Sequence, residues 1–554
     1  MTKSGDTRSR TIGLNAAPHS FNASTAKVHI VGGGIAAMAA AAFMIRDGDV
    51  PGHNITIYEE LDRLGGSLDG AGSAADGYVL RGGRMIENKY LCTFDLFASI
   101  PTLDEKRTVT EEIIHWNETM KTSSKSRLVR EGMRQTAPAF GLRERHILTI
   151  ERLVLEPEAL LGRTTIAEQF DESFFATDFW LMWCTTFAFQ PWHSAVELKR
   201  YLARFAHMVD GFDRLHGIMR TVYNQYDSMV RPLQKWLEER GVHVEFATQV
   251  TGLRAGEADG RNRPTHIIAT SRGADRAITV APADCVLITL GSMTDGSSLG
   301  SMSAPPILNE KPTGGAWALW DTIAEGRPEF GHPGVFDDHV QQSKWVSFTT
   351  TVTGNAFLRA ICDLTGNVPG EGGLITFPES PWLASIVIPH QPHFIGQPAG
   401  VAVFWGYGLT VDLPGAFVKK PMSACSGREI MTELLGHLRF TDEADTMLSS
   451  FICIPCMMPF ITSQFMPRAH GDRPHVIPEG WANLAFLGQF VELPSDVVFT
   501  VEYSIRSAQV AAYALLGLKR SPPPVYQGKF DPRVLLKAFM ALHDMKMPAA
   551  ANAA

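Results

Sequence analysis

No apolar run in this 554-residue chain reaches the length needed to span a bilayer, so nothing in it reads as a transmembrane segment. Charge of neither sign prevails. Fifty Lys and Arg stand against 58 Asp and Glu, a net of −8, and no basic footprint for nucleic acid results. Cysteine is scarce: seven residues, an odd number, lie scattered, which excludes a regular disulfide framework and suits a reducing compartment. Residues 1–26 lack the apolar stretch of a secretory signal and read as a polar, flexible tail. Metal-ligand spacing is also missing. Cys453-Ile454-Pro455-Cys456 has no second such pair and sits among apolar neighbours, so it reads as two buried thiols, and no metal is expected. The expectation is a cytoplasmic globular chain, too long for one core and divided into two or three domains.

What is present begins at residues 27–38. A β-branched strand runs into Gly32-Gly33-Gly34, and a helix of small residues follows, opened by Ile35 and Ala36. The spacing Gly32-x-Gly34-x-x-Ala37 fits the dinucleotide fingerprint. Gly32 permits the tight turn, Gly34 lets a pyrophosphate approach the backbone, and Ala37 lets helix pack on strand. The helix N-terminus offers unpaired N–H groups to phosphate. A second strand over residues 54–58 ends at Glu59 and Glu60, where a carboxylate can accept hydrogen bonds from a ribose. Glycine pairs then recur in Leu64-Gly65-Gly66-Ser67 and in Arg81-Gly82-Gly83-Arg84. Such pairs suit a chain passing close to a second phosphate and a flavin, so FAD rather than a nicotinamide is the expected cofactor.

Residues 104–172 read as amphipathic helices, with Glu111-Glu112 and the basic run 125–134 as solvated helix faces. Aromatics then crowd together. Phe174, Phe175, Phe179, Trp180, Trp183, Phe187, Phe189 and Trp192 fall within nineteen positions, against 9 % aromatics overall. Composition leaves two readings open: a deeply buried helix, or the wall of an apolar cavity. An amphipathic helix over residues 194–207 carries Tyr201 among Leu198, Leu202 and Phe205. Residues 221–252 read as helix then strand, 265–280 as a small antiparallel crossover, and 284–290 as a return to the parallel sheet ending at Gly291-Ser292. A last strand-and-turn unit ends at Gly488-Gln489-Phe490, followed by a helix of small residues. The segment 534–543 reads as an amphipathic helix, flanked by Lys519, Arg520, Lys529, Arg533 and Lys537, that docks on the protein or on a membrane surface.

The expected fold class is α/β, in the multidomain α+β sense. A discontinuous Rossmann-like FAD-binding domain comprises residues 27–95, 210–300 and 470–520. A substrate domain comprises 96–209 and 301–469. The tail 1–26 and a helical segment 521–554 complete the chain.

Together these motifs resemble the oleate hydratases, formerly called myosin-cross-reactive antigens. The resemblance rests on Glu59-Glu60-Leu61-Asp62 with Gly65-Gly66-Ser67-Leu68-Asp69-Gly70, on Arg81-Gly82-Gly83-Arg84, on Phe179-Trp180-x-Met182-Trp183 with Phe187-Ala188-Phe189, on Arg200-Tyr201, on Tyr223-Asn224-Gln225-Tyr226, on Gln391-Pro392-His393-Phe394, and on Gly488-Gln489-Phe490-Val491-Glu492. It spans about residues 27–520. It implies addition of water to the cis-9 double bond of an unsaturated fatty acid, with no net electron transfer and FAD in a structural and electrostatic role. It implies Tyr201 as proton donor, Gln225 and His393 at the substrate carboxylate, and Phe179, Trp183 and Phe187 as cavity wall. It also implies FAD contacts from the early glycines, Arg81, Gly82, Gly83, Arg84, Met85, Ser292, Gln489 and Phe490.

Two departures stand out. The family's glutamate after Arg-Gly-Gly-Arg is Met85 here, which cannot accept a proton; Glu87 or a backbone carbonyl is then expected to orient the water, and turnover to be slower. Family Thr and Asn positions near His390 are Val387 and Pro389, so carboxylate binding is expected to be thinner. The resemblance implies homodimers in general, and a monomer for this Met-Ile variant. Two other readings remain open: a flavin oxidoreductase or isomerase of the amine oxidase and desaturase type, which flavin bleaching by substrate would reveal, and a non-catalytic fatty-acid-binding protein, which would return oleate unchanged.

Overall fold

Val28–Val31 forms a fully buried strand and Ile35–Gly48 the helix after it, in a computed structural model that describes residues 22–545 except Arg84, Ala137 and Thr313. The helix buries ten consecutive residues from Ile35 to Met44, six of them alanine, so it can lie close against the sheet. The strand pairs in parallel with Cys285–Thr289 on one side and Ile55–Tyr58 on the other. Leu484–Leu487 and His243–Glu245 complete a five-stranded parallel sheet. Ligands sit outside the carboxyl ends of such strands, and all the glycine turns noted above cluster there.

The crossover is a three-stranded antiparallel sheet of Thr248–Ala258, Arg261–Ser271 and Ala274–Thr279, as its alternation suggested. A larger, eight-stranded sheet runs in the order Ser298–Leu299, Phe451–Met458, Trp345–Thr353, Val401–Gly408, Ser385–Val387, Ile375–Thr376, Leu128–Arg130, Met133–Gln135. Its last two strands correct the reading of residues 125–134 as a solvated helix face. The run is a β-hairpin, and Arg127 beside it is buried to 1 % exposure. Val129 supplied the missed signal, because a β-branched residue between basic ones fits strand alternation as well as helix. Cys453 and Cys456 lie three apart on one strand, so their side chains point to opposite faces; both are buried, and burial pushes their thiols up to about 12 and about 11.

The two large sheets are joined by a short hairpin, Gly70–Ser73 with Gly77–Leu80. Its second strand docks on the eight-stranded sheet through threonine side chains. The amides of Tyr78 and Leu80 donate to Thr351 Oγ1 at 2.8 Å and Thr349 Oγ1 at 2.9 Å. The chain leaves this hairpin at Arg81, between the sheets.

The Ala195–Arg204 helix is clamped by buried charge. Glu197 accepts from Arg468 Nε at 2.8 Å and pairs with Arg473 at 3.0 Å. Arg200 pairs with Glu158 at 2.7 Å and Glu492 at 2.8 Å, and Arg468 reaches Glu492 at 3.2 Å. Three guanidinium groups thus face three carboxylates. Burial pushes the Glu492 carboxyl up, but Arg200, Arg468 and Arg473 outweigh it and hold the group down to about 2. A depressed folded value stabilises the protein fully above the unfolded value of about 4.3, and that contribution is lost as pH falls towards the folded one. Glu492→Gln is therefore expected to cost about 3–5 kcal/mol at pH 7, measured by urea denaturation, and to flatten the loss of stability between pH of about 4.3 and about 2. An unchanged acid limb would show that the network does not hold the fold.

Candidate active site

A cavity of about 370 Å³ opens at the carboxyl ends of the parallel strands. It is lined by Gly32, Gly34, Ile35, Ala36, Glu59, Glu60, Gly66, Ser67, Arg81, Ser292, Gln489 and Phe490, all nominated from sequence. Gly32 has φ +93° and needs glycine. Gly34 does not: its backbone is extended (φ −74°, ψ 177°), and a Cβ there would meet nothing nearer than 3.9 Å. The Ile35–Gly48 helix has neither a side-chain cap nor an acid in its first turn, so its leading amides face the cavity ready for an anion. Glu59 accepts from the amides of Gly33 at 2.6 Å and Leu61 at 2.8 Å, which fixes the carboxylate at the rim. Glu60 accepts from Gly315 N at 2.7 Å. This last contact brings in the Gly315–Ala324 helix, which sequence reading had placed with the substrate region; its Gly314 and Gly315 line the cavity. The Gly-Gly pair before an apolar helix was the signal for it.

A second cavity, of about 80 Å³, lies on the other side of the segment that follows Arg81. Gly82, Gly83, Met85, Glu87, Phe187 and Tyr201 line it, together with Tyr90, Phe205, Trp405 and Tyr407. Arg81 faces the first cavity and Gly82-Gly83 the second, so three residues form the partition. Gly83 has no room for a side chain, because a Cβ would come within 2.6 Å of the Trp405 ring. Arg84 lies outside the described residues.

The aromatic stretch resolves into both of its readings. Phe187 is cavity wall, edge-on to Tyr201 with ring centres 5.0 Å apart. Trp183, fully buried, meets Phe187 edge-on at 4.8 Å and stacks in turn on the buried Phe179 at 5.5 Å, so the two back the wall without reaching the cavity lining.

Tyr201 is 1 % exposed, and its phenol donates to the Val498 carbonyl at 2.5 Å. Burial pushes its pKa well above the ordinary phenol value, with Tyr90 and Glu197 adding to the effect and Arg204 opposing it. Glu87, 2 % exposed, pairs with Arg204 at 2.7 Å and His207 at 3.3 Å, and accepts from Lys89 N at 2.8 Å. Burial raises its carboxyl, but His207 and Arg204 outweigh this and hold it below the ordinary range. It is an anion and a weak base. Met85 contributes only apolar surface. Tyr90 and His207 were not singled out from sequence, because nothing in spacing places a tyrosine or a histidine beside Glu87.

Gln225 and His393 line neither cavity; they lie together beyond the second one. The Asn224 side chain and amide both donate to the His393 carbonyl at 2.9 Å, and Gln225 Nε2 donates to Thr221 Oγ1 at 3.3 Å. His393 is 7 % exposed, and burial pushes it down to about 3, so it is neutral. Among the described residues, no three His, Cys, Asp or Glu side chains cluster as metal ligands would.

The MCRA family model matches residues 25–513. An oleate hydratase of Streptococcus pyogenes serotype M49 is 40 % identical over 533 residues, covering 94 % of this chain and 90 % of that one. A linoleate hydratase of Lactiplantibacillus plantarum is 33 % identical, covering 94 % and 98 %. Among solved structures, cyclohexylamine oxidase from Brevibacterium oxydans superposes with TM-score 0.50 at 12 % identity, over 89 % of this chain and all of that one. The last likeness concerns the fold alone.

Proposed function

The chain belongs to the MCRA family, and from that premise we propose that it hydrates the cis-9 double bond of unsaturated fatty acids, converting oleate and water to 10-hydroxystearate. The observation that carries the reading is Tyr201: a phenol sealed in an apolar, aromatic chamber, with a fixed carboxylate, Glu87, on the same chamber's lining.

The residues of the first cavity fit FAD. The open helix N-terminus and the unobstructed Gly34 would take the pyrophosphate, Glu59 a ribose, and Ser67, Arg81, Ser292 and Gln489 the remainder towards the partition. When bound, the flavin supplies a fixed electrostatic field at that partition, and no electrons change hands overall. The rest of the chemistry belongs to the chain. An unactivated alkene is a very weak base, so protonation needs a donor held in place and a chamber without bulk water. Tyr201 Oη gives its proton to C9. Positive charge develops at C10, facing the rings of Phe187 and Phe205. A water adds to C10 and loses a proton, which restores the phenol. Glu87 accepts a hydrogen bond from that water and positions it; paired with Arg204 and His207, it does not compete for the proton outright. Val498 holds the phenol in its donor rotamer between turnovers.

The C-terminal helix bears on where the substrate comes from. Among the described residues no helix is long and apolar enough to cross a membrane. Pro532–Leu542 nevertheless leaves Leu535, Leu536 and Phe539 between 45 and 57 % exposed on one face, with Phe530 nearby at 76 % and Lys529, Arg533 and Lys537 alongside. We take this face to rest on an anionic bilayer, from which a fatty acid is drawn.

Three measurements test these statements. Oleate incubated with the FAD-loaded protein in ¹⁸O-labelled water should give labelled 10-hydroxystearate, and Tyr201→Phe should lose at least about a hundredfold in kcat while keeping its flavin; unlabelled, unchanged oleate would sink the hydratase reading. Gly34→Ala should leave the melting temperature of the apoprotein unchanged and weaken FAD about tenfold or more, because the added methyl occupies only the cofactor's approach. Leu536→Asp with Phe539→Asp should abolish co-sedimentation with phosphatidylglycerol vesicles without changing hydration of dispersed oleate; vesicle binding at wild-type strength would refute the membrane contact.

A further inference from the structure

Resting on the hydratase reading, we propose that Arg220 is the counter-ion of the fatty acid's carboxylate and so fixes which end of the substrate lies beyond the chamber. Among the described residues the buried arginines have partners, whereas Arg220 is half-buried with part of its guanidinium sealed. Arg200, Arg204, Arg468, Arg473 and Arg506 each face a carboxylate. Arg127 has no acid beside it, but its two terminal nitrogens donate to Thr376, Thr185, Thr186 and the Met182 carbonyl at 2.7 to 3.0 Å, and only its Nε is without an acceptor. Arg220 has neither. Its Nε and Nη2 are sealed from solvent and meet no acceptor, and no carboxylate acts on it. Both ring nitrogens of the buried His393 are equally without a partner, and the two groups sense each other's charge. An uncompensated guanidinium in a protein interior is costly, and it persists where something else supplies the anion.

The position is built rather than accidental. Asn117 grips the Arg220 backbone from both sides, accepting from its amide at 2.9 Å and donating to its carbonyl at 2.8 Å. The preceding residue, Met219, pairs with Ile86 through both backbone hydrogen bonds, at 3.0 and 2.7 Å. Arg220 is thereby tied to the Met85–Glu87 edge of the chamber, and Ile218 and Tyr407, its neighbours, are part of the chamber lining. Val387 and Pro389 offer no side-chain donors in this region, whereas a guanidinium fork meets a carboxylate with two parallel N–H donors. The site therefore takes a long-chain carboxylate and rejects a neutral head group.

The test uses the FAD-loaded full chain with oleate, oleyl alcohol and the fluorescent C18 carboxylate cis-parinaric acid. In Arg220→Met, KM for oleate and Kd for cis-parinaric acid should rise about tenfold or more, with kcat unchanged and oleyl alcohol unaffected. The melting temperature of the ligand-free protein should hold or rise, since an unpaired buried charge has been replaced by an apolar chain; a structural arginine would lower it. Arg220→Lys should recover part of the oleate affinity. Equal weakening of oleate and oleyl alcohol, or unchanged binding of cis-parinaric acid, would overturn the assignment. A wild-type protein that binds cis-parinaric acid through Arg220 yet hydrates nothing would refute the hydratase reading and leave this one standing.

Discussion

A buried phenol can hand a proton to an alkene only if the helix that carries it cannot shift, and here that constraint is met with charge rather than packing alone. Glu197 and Arg200 lie four and one residues before Tyr201 on the same helix, and both are locked to Arg468, Arg473 and Glu492. Glu492 follows Gly488-Gln489-Phe490, which lines the first cavity, so one network ties the Tyr201 helix to that cavity. The Tyr201 phenol then meets Val498, a few residues further along that same connection. Replacing such a network by apolar side chains can be neutral for stability elsewhere. In this protein it would untie the two halves of the site.

The partition between the cavities follows from the hairpin before it. Tyr78 and Leu80 donate to threonines of the eight-stranded sheet, so the chain is delivered to Arg81 at a fixed height between the sheets. The chain then passes from the first space to the second within three residues. Glycine at 82 and 83 keeps the partition thin, and Trp405 closes it from the far side. A cofactor in one cavity can therefore act on a substrate in the other through field and shape, without contact chemistry on its redox atoms. On the proposed function, a fold shared in outline with an amine oxidase would serve a redox-neutral reaction in this way.

The parallel sheet and its cradle were legible because they depend on local signals: β-branched runs, glycine where φ is positive, and a carboxylate at a strand end. Nearly every cradle residue nominated from those signals lines one cavity. The eight-stranded sheet was less legible. Its strands come from distant stretches, and Leu128–Arg130 reads as a basic surface because its apolar partners are about 250 residues away in Ile375–Thr376. Buried arginines were not legible at all. Arg127 and Arg220 look in sequence like any solvated basic residue, and only the fold shows that the terminal nitrogens of one donate to three hydroxyls and a carbonyl while the other has no side-chain acceptor at its sealed Nε and Nη2. The aromatic cluster was legible as apolar but not as wall or backing, since which of Phe179, Trp183 and Phe187 meets the cavity depends on where the helix ends.

On the proposed mechanism, methionine at position 85 shifts the burden of the reaction onto other residues of the chamber. A glutamate there would sit on the chamber lining, able to take the proton that the attacking water releases. Methionine removes that base, and Glu87 cannot simply replace it, because Arg204, His207 and the Lys89 amide already hold its charge in place and lower its proton affinity. On the proposed mechanism, what Glu87 retains is a fixed negative charge on the chamber lining, which would stabilise developing positive charge whether or not it moves a proton. The proton from water then has Tyr201 itself as its natural destination, since the tyrosinate left in an apolar chamber is by far the strongest base present. Burial, which makes the phenol a reluctant acid in the first half of the reaction, makes the tyrosinate an avid base in the second. Loss of the carboxylate at position 85 is thus compatible with turnover only if the water and the phenol share one small space, and an 80 Å³ chamber with both Tyr201 and Glu87 on its wall meets that condition.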